Sequence, residues 1–250
     1  MKRLTGFIFP LLLLIAWEAL SRNGYFAANL LPSPSSVVMT GYNLAREGEL
    51  ASHVLITLWR VLVGFGIGVV AATILGALTG YSPTSRRLLD PLLQSLRNIP
   101  SMAWVPLFIL WLGIQETSKI TLIAVGVFFP VYLNLMSGIL HVDRKLVEVG
   151  RVFRLQGFEL IRRVILPASM PSYITGLRSG LGLGWMFVVA AELMGASKGI
   201  GYLMNDGQNT GRPGIIIASI LLFAVFGKLT DLAVELSGSR FLRWSQPLHA

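Results

Sequence analysis

Three polar side chains, Gln94, Arg97 and Asn98, fall inside an apolar stretch that is interrupted by Pro91, Pro100 and Pro106. Proline removes a backbone donor and breaks the helical ladder, so such a stretch leaves carbonyls or N–H groups for other partners. Polar groups on a proline-broken apolar segment belong in a bundle interior or along a cavity, not against lipid. Ser101, Met102 and Trp104 continue the same region. Other chemistry is thinly supplied. His53, His141 and His249 lie far apart, without metal-ligand spacing, and no metal site is expected. Cysteine is absent, which removes disulfides and thiolate sites. The serines and acids form no arrangement in which a base stands beside a nucleophile. The phosphate-cradling pattern G-x-x-x-x-G-K-[S/T] does not occur. The chain is expected to bind and conduct rather than to catalyse.

The elements that must position these groups follow from composition. The chain has 250 residues, 54% hydrophobic and only 13% charged. A soluble domain is about a quarter charged, so a soluble surface is excluded, and disorder with it. The net charge of +9 does not point to nucleic acid, because the basic residues alternate with long apolar runs. Six apolar spans are expected, at about 4–20, 54–78, 88–111, 120–140, 172–194 and 215–236, each able to cross a core of about 30 Å. The first follows Lys2 and Arg3 like a signal peptide, but no small-residue cleavage site follows, so it reads as an uncleaved span bent at Pro10. Leu31 to Ser35 reads as a turn into a short amphipathic helix at about 36–46, capped by Ser35 or Ser36. In the second span Gly64, Gly68, Ala72 and Gly76 make a small-residue face suited to close helix packing. Residues 196–214 read as a polar loop. The whole of 1–250 is expected to be one membrane domain.

Residues 141–166 depart from this pattern. They hold the densest charge, in two amphipathic pieces, Lys145 to Leu155 and Phe158 to Ile165, with Gly157 between them. Placing both termini in the cytoplasm puts twelve of the 21 Lys and Arg on the inner side, as the positive-inside rule favours. The segment is either a solvated loop anchored by charge or a surface for lipid headgroups or another protein. A bundle without a nucleotide motif needs an outside energy source if it pumps.

At this point the residues resemble a known family. Glu148-Val149-Gly150, followed by Val164-x-Leu166-Pro167, is similar to the EAA motif of binding-protein-dependent ABC importer permeases. Val149 and Gly150 stand where that motif has alanines. Arg154 stands at its usual glycine, leaving Gly157 to supply the turn. Residues 94–119, 176–184 and 190–202 resemble the nitrate, taurine and aliphatic sulfonate branch, with the aliphatic sulfonate permeases nearest; the likeness covers about 30–245. The resemblance implies an all-α integral membrane protein with the type I importer permease fold: six transmembrane helices and a cytoplasmic coupling helix, in a bacterial inner membrane. It implies a homodimer of permeases, two cytoplasmic ABC ATPase subunits, and a periplasmic or lipid-anchored binding protein. ATP and magnesium would bind the ATPase, and no cofactor is expected in this chain. The implied substrate is a small anion, foremost an aliphatic sulfonate. The alternatives are taurine, nitrate or another small anion or heterocycle in the same transporter class, or an ion-coupled carrier working alone.

The resemblance also implies roles. Glu148, Arg151, Phe153 and Arg154 would contact the ATPase, together with Leu155, Gly157 and Phe158. Phe153 is either the anchor of that contact or packed back on its own bundle. Arg97 would attract the anion along the path, or else sit at the cytoplasmic edge. Gln94, Asn98, Ser101, Met102 and Trp104 would line the same region, with Pro100 and Pro106 keeping the helix open. Arg60 and Arg178 are competing cations, Glu192 a structural or gating acid, and Lys228 a gating or structural group able to neutralise Asp231. Trp104, Trp111 and Trp185 are either gates or packing residues.

Overall fold

The computed structural model describes residues 5–27, 29–100 and 103–241. Ser101, Met102 and the basic residues of both chain ends, Lys2, Arg3 and Arg243, lie outside the described residues, as does His249. What is described is helical throughout. The α-helices are α1 (Thr5–Arg22), α2 (Pro34–Arg46), α3 (Glu49–Tyr81), α4 (Pro83–Arg97), α5 (Trp104–Leu112) and α6 (Glu116–Leu140), then α7 (Arg144–Val152), α8 (Gly157–Leu160), α9 (Leu166–Leu193), α10 (Ile200–Asn209) and α11 (Pro213–Phe241). A π-helical stretch, Ile161–Ile165, joins α8 to α9.

Four helices among the described residues are long and apolar enough to cross a membrane: Glu49–Tyr81, Glu116–Leu140, Gly157–Leu193 and Pro213–Arg240. The expected count of six is corrected to four. The stretch 88–111 is not one helix. It is divided between α4, of 15 residues, and α5, of 9. Nine residues rise only about 14 Å, under half of the hydrocarbon core. The first expected span, 4–20, falls in α1, whose 18 residues rise about 27 Å. Its last turn is committed to polar partners: Glu18 accepts from the Ser35 amide and hydroxyl and pairs with Arg22.

The chain forms two compact units, one from residues up to Leu58 with Glu192–Phe226, the other from Trp59–Ala191 with Gly227 onward. In the larger unit α6 is the central helix, and small residues bring its neighbours close. A Cβ built at Gly64 of α3 would lie 2.6 Å from Ile123, and one at Gly68 would lie 2.6 Å from the Ala124 carbonyl oxygen. On α9, a Cβ at Gly176 would meet Asn134 at 2.8 Å. Helix association in lipid depends on such close approach, because apolar surface gains little by leaving lipid for protein.

The π stretch has a local cause. Pro167 has no amide hydrogen and its ring clashes with the carbonyl four residues back. The helix widens just before it, and the Leu166 amide bonds to the carbonyl of Ile161, five residues back. The second expected amphipathic piece is therefore the start of a continuous helix, Gly157–Leu193.

In the smaller unit Ser33, not Ser35 or Ser36, caps α2, its hydroxyl accepting from the Ser36 amide. The expected loop 196–214 contains a further helix, α10.

Candidate functional site

α4 ends at Arg97, and the chain then turns through Asn98 to Pro100 before α5 begins. Arg97, Asn98, Pro100 and Trp104 line one cavity of about 510 Å³ in the larger unit. Gln94 stands behind them, its amide oxygen accepting from Arg97 at 3.4 Å. Pro106 is on α5 and does not line the cavity. Sequence reasoning assigned no role to the other walls. Asn134 adds a third polar side chain, and Phe129, Met186 and Phe187 add apolar ones. The signal for Asn134 was its place one turn after Pro130 inside an apolar span. Its amide now donates to the Pro130 carbonyl at 2.9 Å.

The cations separate by partner. The Arg60 guanidinium is 1% exposed and clamps Glu116 through two bonds of 2.6 Å, with Lys119 at 3.3 Å from the same carboxylate. Arg178 holds Asp231 through bonds of 2.8 and 2.9 Å and reaches Glu235 at 2.8 Å. Lys228 lies 3.5 Å from Asp231. Arg97 differs: among the described residues no acid lies within ion-pair distance, and its recorded partner is the neutral Gln94. A cation held in a cavity without a counter-charge presents a ready site for an anion.

Glu192 sits in the smaller unit and is 1% exposed. It accepts from the Thr57 hydroxyl and the Gly201 amide, both at 2.8 Å. Thr57 in turn accepts from the Ile200 amide, and His53 Nδ1 from the Gly199 amide, both at 2.9 Å. His53 also stacks on Tyr202, with ring centroids 5.6 Å apart. Two side chains distant in sequence, His53 and Thr57, and a nearer one, Glu192, thus satisfy three amides at the start of α10, whose own N-cap, Gly199, has no side chain to do so. Gly199 is required here. Its φ is +135°, and a Cβ would fall on the Glu192 carboxylate.

The segment after α6 presents a different surface. Asp143 caps α7, accepting from the Lys145 amide at 2.9 Å. α7 ends in a Schellman pair of bonds, from the Leu155 amide to the Gly150 carbonyl and from the Arg154 amide to the Arg151 carbonyl. Arg154 takes the left-handed conformation itself, φ 59°, where glycine is usual, and Gly157 is also left-handed at φ 53°. Glu148 and Arg151 are exposed, and Leu155 is partly covered. Phe153 and Phe158 are 75% and 74% exposed. Of the tryptophans, Trp185 is buried and donates to the Thr230 hydroxyl at 2.8 Å, whereas Trp111 is exposed.

Comparison with known proteins agrees with this architecture. The family described as "binding-protein-dependent transport system inner membrane component" matches residues 64–243. A protein of Bacillus subtilis (strain 168) named for aliphatic sulfonates transport, the permease protein SsuC, is 42% identical over 239 residues, covering 96% of this chain and 87% of that protein. The protein of the same name in Escherichia coli (strain K12) is 40% identical over 247 residues, covering 99% of this chain and 94% of its own length. Among solved structures, an amino acid ABC transporter crystallised with histidines matches the fold with a TM-score of 0.61 at 16% identity, over 81% of this chain and 96% of that one. Permeases of this kind are multi-pass membrane proteins and hold no ATPase activity of their own. The chain belongs to the family of binding-protein-dependent transport system inner membrane components, the permease subunits of ABC importers.

Proposed function

We propose that the chain, as one permease domain, forms half of the translocation path of an importer for aliphatic sulfonates, with Arg97 receiving the anionic head. The observation that carries this reading is the Arg97 guanidinium, which lines a cavity of about 510 Å³ and, among the described residues, has only a neutral partner. Asn98 and Asn134 supply further polar groups there, and Trp104 and Pro100 complete that end. Relatives named for aliphatic sulfonates transport, at 42% and 40% identity, support the substrate class.

An ABC importer permease pairs with an ATPase and a binding protein. We take the assembly to be two copies of this chain, two cytoplasmic ATPases that bind ATP and magnesium, and one binding protein outside, with both termini of the permease in the cytoplasm. Glu148, Arg151, Phe153, Arg154, Leu155, Gly157 and Phe158 would meet the ATPase. The exposed phenyl rings of Phe153 and Phe158 favour this, because rings left in water gain by entering a partner's groove.

Uptake by the complex in liposomes tests the proposal, with an alkanesulfonate competed against taurine and nitrate. Sulfonate is expected to win the competition. Arg97→Ala is expected to lower uptake by about ten- to a hundredfold, the value of a lost hydrogen bond to a charged group, while assembly is retained. Normal uptake by that variant removes Arg97 from the path.

A further inference from the structure

The cavity has two kinds of wall. Arg97, Asn98 and Asn134 are polar, whereas Phe129, Leu133, Leu183, Met186 and Phe187 are apolar. A bare inorganic anion uses only the first kind. At about 510 Å³ the space is also far larger than a four-atom anion needs and falls within the ~300–1,000 Å³ of small-molecule sites. The chemistry that fills both walls is an anionic head on a short alkyl tail.

The position of one apolar wall depends on a glycine. Gly126 of α6 and Phe187 of α9 both line the cavity, and the Phe187 ring lies directly against Gly126. A Cβ at Gly126 would stand 2.5, 2.7 and 2.8 Å from three carbons of that ring. An aromatic ring cannot yield by bending, so a methyl group there must move it. Phe187 is 8% exposed and lines the cavity, which is the open space into which it can turn.

We infer that the permease itself reads the substrate's tail, with Phe129, Met186 and Phe187 forming the tail wall and Gly126 setting its depth. The inference rests on the Arg97 reading for the head of the substrate. It places part of the chain-length selectivity in the permease, downstream of the binding protein. An apolar pocket discriminates by the methylene, and a pocket made shallower rejects the longer homologue.

The test is uptake of methanesulfonate and hexanesulfonate by the complete complex in liposomes, each with binding protein at saturation. Gly126→Ala is expected to lower hexanesulfonate uptake far more than methanesulfonate uptake, so that the hexane-to-methane ratio falls by about tenfold or more. Met186→Ser alters the same wall at a side chain that is 60% exposed, so it decides the matter where Gly126→Ala fails to assemble. Its ratio should fall in the same direction. An unchanged ratio in Met186→Ser, or an equal fall for both substrates, overturns the tail wall. Arg97→Ala in the same assay should depress both substrates alike. Full uptake by Arg97→Ala with an altered ratio in the wall variants removes the head assignment and leaves the wall standing.

Discussion

Arg97 and Glu192 are both ionisable groups of a membrane protein, and their surroundings are opposite. Glu192 is buried, and its two oxygens accept from Thr57 and from the amide of Gly201. Arg97 is exposed in a cavity and, among the described residues, is hydrogen-bonded to one neutral side chain, Gln94. A carboxylate held by a hydroxyl and a helix-start amide is doing structural work, since the site would be unsatisfied without it. A guanidinium whose counter-charge is missing has its interaction left for something that arrives. The difference teaches that charge inside a permease divides by partner rather than by sign or depth. Arg60 and Arg178 fall on the structural side with their clamped carboxylates.

Substitutions can break or sharpen this contrast. The largest effect is expected at Glu192. Glu192→Ala leaves the Gly201 amide and Thr57 without their acceptor, and should cost about 3 kcal/mol or more of stability. Thermal unfolding in detergent measures it, and an unchanged midpoint removes Glu192 from the structural class. Gly199→Ala should come next, at about 2 kcal/mol, because the added methyl meets the carboxylate in a backbone conformation that side chains rarely adopt. Arg97→Ala should do the reverse of both, leaving the unfolding midpoint in place while uptake falls. A drop in stability there would place Arg97 with Glu192 instead. The smallest effect is expected at Arg154, where replacement by glycine relieves a left-handed residue and should stabilise by about 1 kcal/mol. An unchanged or lowered midpoint would show that the Arg154 side chain makes up for its strain.

Much of the packing was legible along the chain. The spacing of Gly64, Gly68, Ala72 and Gly76 announces a close helix contact, and α3 does lie against α6 along Gly64, Gly68 and Gly76. The amphipathic helix near 36–46 is also present, as α2. What failed was counting 88–111 as one span although its prolines and polar groups were visible: an amphipathic α4 ends at Arg97 and the nine-residue α5 begins at Trp104. The π stretch before Pro167 is equally invisible to periodicity, because it changes how the helix is wound and not which residues are apolar. At the site, Arg97, Asn98, Pro100 and Trp104 were readable as neighbours in sequence, whereas Phe129, Asn134 and Phe187 reach the same cavity from other helices. The network at α10 was out of reach for the same reason. Its bonds join residues 135 and 146 positions apart, and no local pattern around Gly199 names Thr57 or His53.

The contact between His53 and Gly199 has a consequence for protons. A backbone amide can only donate, so Nδ1 must present a lone pair, and the ring is the neutral tautomer with its hydrogen on Nε2. Tyr202 covers one face of this ring, which is buried. A ring carrying both hydrogens would set donor against donor, so the bond from Gly199 holds the imidazole in its neutral form. The neighbouring bond from Ile200 to Thr57 sets no such condition, because a hydroxyl always offers a lone pair. The first two amides at the start of α10 are therefore fastened by one side chain that accepts in any state and one that accepts only as the neutral ring.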